Sequence, residues 1–291
     1  MTLVCRYLVI PLAAIASSGC AARLNQFNTF AQAGITYTTA SQTLLNEAGH
    51  AAVNTDSALL TRHRDEMSEA RRRAIINESD KKLKDRLAVL DLIGAHGRLL
   101  AAYFQAVAAL SDPKAGESVG TSAQGLYDAL AKISPRLKEA TVGSQTVSSF
   151  IPEIADPVVA IFKARALDNE LKARACLIAK ELALQQAAFQ TIAAEFRTDA
   201  KELQQFQEVD SINQFVSSGD LAPDWASQRP ALLASPSTIA SIDAAAKAAD
   251  QLGKAWAALV SGRLDGNGFN LLMTDISNLL TITQTIQSAI K

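Results

Sequence analysis

Disulfide chemistry is the first thing this sequence cannot build on. It has three cysteines, at positions 5, 20 and 176, too few for a stapled framework. Proline is missing from Leu24 to Asp112, and neither proline nor glycine occurs between Pro157 and Gly219. These are the two residues that most often interrupt helices. No stretch alternates β-branched and polar residues over the length of a strand, so no sheet is expected. Neither sign of charge is in excess, with 28 Lys and Arg against 29 Asp and Glu. A nucleic-acid-binding face needs a basic surplus, so nucleic acid is not an expected partner. Aromatics make up only 5% of the chain, and alanine fills much of the apolar content, which favours helices with thin, tightly packed cores. Reaction motifs are missing too: there is no G-x-S-x-G elbow, no phosphate-binding glycine loop and no Cys/His pairing of note.

What is present is organised around Asp156–Ser218. Asp156 and Pro157 suit the cap and first position of a helix, and Gly219 suits its end. If wholly helical, the run covers roughly 60 residues, or about 90 Å. Leu182, Phe189, Phe196 and Leu203 recur at seven-residue intervals. Leu171, Ile178, Ile192 and Phe206 hold the position three residues on, interrupted by Gln185 and Asp199. Two apolar positions per heptad make a seam for helix-on-helix packing. Polar residues inside such a seam are expected to fix register. Should the helix break, Asp199–Lys201 is the weakest point of the seam.

The N-terminus reads as a targeting segment. Arg6 precedes an apolar run from Tyr7 to Ala16, about the 7–15 residues of a signal-peptide core and too short to span a bilayer. It ends in Ser17-Ser18-Gly19-Cys20. Here the chain resembles bacterial lipoproteins, whose lipobox places small residues before a cysteine that is lipidated and becomes the mature N-terminus. Ser18, Gly19 and Cys20 match that pattern; Ser17 stands where leucine is usual. The resemblance covers only this segment and implies a signal peptide over residues 1–19, lipidation at Cys20, and a membrane partner reached through the lipid. Ala21, where an Asp would favour inner-membrane retention in enterobacterial lipoproteins, leans the expectation toward the outer membrane. With Cys5 removed and Cys20 acylated, Cys176 is left as a small hydrophobe.

Further faces follow along residues 20–291, expected to form one domain. Phe27, Phe30, Gly34, Ser41, Leu45, Ala48, Ala52, Thr55 and Leu59 recur at helical spacing. Asn77–Asp80 reads as a hinge, with a second stripe beyond it through Val89, Ile93, His96, Leu100, Tyr103 and Val107. His96 is expected to be a hydrogen-bonded core residue. Pro223, Pro230 and Pro236 bracket Trp225 in what reads as a surface loop between helices, the best candidate for a recognition element. Ser235-Pro236 is read as the cap of a helix carrying Ile242, Ala249, Leu252, Trp256 and Leu259. The last face runs from Phe269 through Ile276 and Leu279 to Ile290. The sum is an all-α fold: an elongated antiparallel bundle of about five to seven helices with a very long central helix and no sheet.

Candidate chemistry is sparse. Glu47 and His50 share the i,i+3 spacing of carboxylate-bridged metal helices, but no second copy exists. Gly49-His50 also approaches the G-x-H-x-x-E pattern of imelysin-like helical proteins, yet Val53 stands where the acid is needed. Asp265-Gly266-Asn267-Gly268 begins like a calcium loop and lacks its later ligands. No cofactor, metal or catalytic residue is therefore expected. The expected role is a lipid-anchored envelope protein that binds another envelope protein or serves as a structural spacer. The alternative is a periplasmic metal-binding protein or hydrolase using Glu47 and His50.

Overall fold

The computed structural model describes residues 10–61, 68–109, 141–142, 145–146, 175–220, 225–261, 271, 273–279 and 281. The expected helix start over 156–174 and the calcium-like turn at 265–268 lie outside these residues. Four long helices carry the described fold. They are α1 (Ile10–Thr61), α2 (Glu69–Ala109), α3 (Ala175–Gln207) and, after a π-helical turn at Glu208–Ile212 and a short α4 (Asn213–Ser218), α5 (Trp225–Ser261). A further helical stretch over residues 273–279 follows. The only strand pairing described is a two-residue antiparallel ladder, Thr141–Val142 with Gln145–Thr146, so the fold is all-α, as expected.

Cross-helix contacts fix the topology. On α1 and α2, Gly34 faces Phe104, Gln42 faces Gly94, and Gly49 faces Leu87, so one number rises as the other falls. The pairs Arg86 with Asp199 and His96 with Glu181 do the same for α2 and α3. Arg197 with Asp243 and Ala175 with Trp256 do so for α3 and α5. Neighbours are antiparallel throughout, giving an up-down-up-down four-helix bundle. The 41 residues of α2 span about 60 Å, so the bundle is long for its width.

The stripes read from the sequence are the faces that pack. Phe30, Leu45, Ala48 and Ala52 on α1, Val89, Ile93, Leu100 and Tyr103 on α2, Leu182, Phe189, Phe196 and Leu203 on α3, and Ile242, Leu252, Trp256 and Leu259 on α5 are all buried. At the end where α3 begins, aromatic rings close the core. Trp256 stacks on Phe30 at 5.6 Å and meets Tyr103 edge-on at 6.3 Å. Its indole N–H donates to the Ala175 carbonyl of α3 at 2.9 Å, so the buried ring's one polar group is satisfied.

Two expectations need correction. Asn77–Asp80 is not a hinge; α2 runs through it without a break. The turn-forming side chains there are occupied elsewhere: Ser79 donates across to Asp56 on α1, and Glu78 pairs with Lys82 one turn on. That leaves them less free to compete with the backbone. The segment around Trp225 is not a loop either. Trp225 is the first residue of α5, which continues through Pro230 and Pro236, so Ser235-Pro236 lies within a helix and caps nothing. Proline's fixed φ fits a helix, and packing farther along α5 outweighs its two lost hydrogen bonds. The weakest point of the seam, Asp199–Lys201, stays helical within α3, where Asp199 is held by Arg86. The expected stop is present: Gly219 adopts φ 81° and donates to the Phe215 carbonyl at 2.8 Å, a left-handed cap that glycine suits.

Gly97 offers a clean test of the α2 backbone. A β-carbon there would meet nothing within 4 Å, so Gly97→Ala should only restrict the unfolded chain. It is expected to stabilise by about 0.5–1 kcal/mol, read as a higher denaturation midpoint.

Candidate functional site

The densest polar constellation lies in the bundle core. His96 on α2 and Glu181 on α3 are both fully buried, with Nδ1 2.8 Å from a Glu181 oxygen. The other Glu181 oxygen accepts from Gln185 Nε2 at 3.0 Å, and that same amide group also reaches the Ile93 carbonyl at 3.3 Å. A carboxylate facing Nδ1 selects the tautomer with its proton there. Tyr37 and Ser41 approach from α1 with their hydroxyls side by side, and His96 Nε2 is buried without a hydrogen-bond partner. Burial holds the Tyr37 phenol far above its ordinary range. A hydrogen bond with the neighbouring Ser41 hydroxyl pulls the other way, and the charge of Glu181 adds to the rise.

An imidazole oriented by a carboxylate is half of an acid–base relay. Here both side chains are 0% exposed, and a substrate could reach Nε2 only if the helices parted. The arrangement does something else. Gln185, the first polar interruption of the α3 seam, ties α3 to α2, and a slip of one turn would leave Glu181 and His96 unpaired in the core.

The second interruption behaves alike. Asp199 pairs with Arg86 of α2, whose guanidinium also lies 3.3 Å from Glu195 and 4.4 Å from the centre of the Phe196 ring. Burial pushes the Glu195 carboxyl above its usual range; Arg86 pulls it back only in part, and Asp199 adds to the rise. A carboxyl with a raised folded pKa favours the fold below its unfolded value of 4.5 and loses that contribution as pH rises through the folded value. Glu195→Gln should therefore gain stability relative to the parent as pH is raised from 4 toward neutrality. Denaturation midpoints across that range would check it; a difference independent of pH would contradict it.

The residues named from the sequence fall elsewhere. Glu47 is half-buried and His50 exposed on α1. Among the described residues, no three His, Cys, Asp or Glu side chains are grouped to hold an ion. Cys20 lies on the α1 helical backbone, but its side chain is outside those described. Cys176 is half-buried on α3. Trp225 is half-buried, with the Arg229 guanidinium 5.8 Å from its ring centre. A shallow, mostly apolar groove between α3 and α5 is lined by Ala200, Gln204, Pro236, Ile239 and Ala240. Among the described residues one helix, residues 69–108, is long and apolar enough to cross a membrane by length and composition; its apolar side packs into the core.

One surface was missed. Val209, Ile212, Phe215 and Val216 are exposed, Val216 at 79% and Val209 at 65%. They lie on the π turn and α4, beyond the last packed layer of the bundle. The signal was a slip in phase: the heptads through Leu203 and Phe206 should reach 210 and 213, whereas apolar residues stand at 209, 212 and 216. The π turn sits at that slip.

No protein-family model, curated protein or solved structure matches this chain.

Proposed function

We propose that this chain is a lipid-anchored protein of the bacterial cell envelope that works by surface contact, as an adaptor or structural element, and not by catalysis. The observation that carries this is the exposed apolar stripe at one end of a bundle whose His96–Glu181–Gln185 cluster is buried in its interior. Val209, Ile212, Phe215 and Val216 are left in water, where large apolar side chains gathered in one place most often mark an interaction site. Trp225 stands at the same end, a few residues past Gly219. The lipobox-like Cys20 lies at the other. Along α1 about 60 Å separates Cys20 from Thr61, and the antiparallel order puts the end of α3 beside the Thr61 end. An anchor at Cys20 would thus hold the stripe away from its own membrane, the outer membrane on this reading.

Two measurements test the proposal. Mass spectrometry of the mature N-terminus should find a diacylated Cys20; an unmodified start near Ser17 or Ala22 would remove the anchor. Crosslinking and recovery from the native envelope should yield a protein partner, weakened by Trp225→Ala or Val216→Asp. A metal bound at about one per chain and lost on His50→Ala would favour the metal-binding or hydrolytic alternative instead.

A further inference from the structure

We infer that the end bearing the stripe is a self-association surface, in which α3–α4 of one copy lies against the first turns of α2 of a second. This rests on the stripe being the working surface of the proposed adaptor. Both halves of a complementary pair are present in one chain. Over residues 201–220 the stripe is accompanied by Glu202, Glu208, Asp210 and Asp220 against the single Lys201. Over residues 69–76, α2 carries Arg71, Arg72 and Arg73 against the single Glu69, and beside them Ile76 is 49% exposed. One segment is acidic and apolar, the other basic and apolar, and both lie at the same end of the bundle.

The chain already uses this pairing internally. Arg86 on α2 meets Glu195 and Asp199 on antiparallel α3. Farther along, Arg71 on α2 and Glu202 and Glu208 beyond Asp199 are exposed, and Arg73 turns back to Glu69 on its own helix. A second copy, placed so that its α2 meets this α3–α4, would extend the same arginine-to-carboxylate contact and cover Val209, Val216 and Ile76 reciprocally. The acids argue against the other large apolar acceptor, a bilayer, because anionic headgroups attract basic segments and repel acidic ones.

The test is sedimentation of the full chain in density-matched detergent, as the parent and as two surface variants, Val216→Asp and Arg71→Glu with Arg73→Glu. Circular dichroism should be unchanged in both variants, because all three positions are exposed. The parent is expected to be a dimer at micromolar concentration, with each variant weakening it by at least about tenfold, or roughly 1.4 kcal/mol. A monomeric parent, or a dimer that survives both variants, would overturn the inference. So would a monomer that binds phosphatidylglycerol vesicles in a Val216-dependent way. A monomeric parent that still captures a different envelope protein through Val216 would overturn self-association alone and leave the adaptor role standing.

Discussion

Glu181→Ala is expected to lower the stability of the bundle by roughly 3–5 kcal/mol, the cost of breaking a buried pair by removing one partner. Glu181 is the acceptor for both His96 and Gln185. Its loss leaves the imidazole N–H without a partner and Gln185 with only the Ile93 carbonyl, in a core where His96 Nε2 already has none. Each further unmet group costs about 1–3 kcal/mol. The double replacement His96→Leu with Glu181→Leu should cost less than the two single changes added together, because it removes both halves of the polar pair. Denaturant titration of the four species gives the coupling directly. Additive effects would mean that the pair is not a unit.

The second large effect comes from the closest approach of α1 to α2. A β-carbon on Gly34 would lie 2.3–2.7 Å from three ring carbons of Phe104. That ring is fully buried and packed edge-on against Phe30 at 5.6 Å, so it has nowhere to turn. Gly34→Ala should gain about 1 kcal/mol from helix propensity, but overpacking of roughly 1–3 kcal/mol opposes it, and deformation of a locked aromatic layer puts this case at the upper end. The variant is expected to melt lower than the parent, opposite in sign to Gly97→Ala. Phe104→Leu in the Gly34→Ala background should recover part of the loss by making room. If Gly34→Ala melts at or above the parent, α1 and α2 do not approach as described.

Much of the bundle was legible because helical periodicity records burial. The α3 seam, the α2 stripe with His96 in it, and the left-handed stop at Gly219 all follow from residue type and spacing. Gln185 and Asp199 were legible as interruptions, and their bonds to α2 fit the expectation that such residues fix register. Their partners were not, since Glu181 and Arg86 look like ordinary surface charges until the helices are aligned. Local turn signals misled twice. Asn77–Asp80 resembles a hinge only if Ser79 has no acceptor on another helix, and it has Asp56. Pro230 and Pro236 argue for a loop only if local propensity outweighs packing.

The exposed stripe was overlooked for a related reason. A heptad pattern treats apolar residues that fall out of phase as noise, yet Val209, Ile212 and Val216 lie where the π turn shifts the helix away from its seam. π turns within α-helices occur often at functional sites. Here one coincides with the point where packing stops and exposed apolar surface begins.

The measurement that bears most directly on the proposed role is photocrosslinking in the intact envelope from two positions, Val216 on the stripe and Asp91 on the exposed flank of α2. A protein that works by contact through its stripe should give a discrete protein adduct from position 216, with a second copy of the chain or another envelope protein, and none from position 91. Lipid adducts at position 216, or the same diffuse background at both positions, would contradict it.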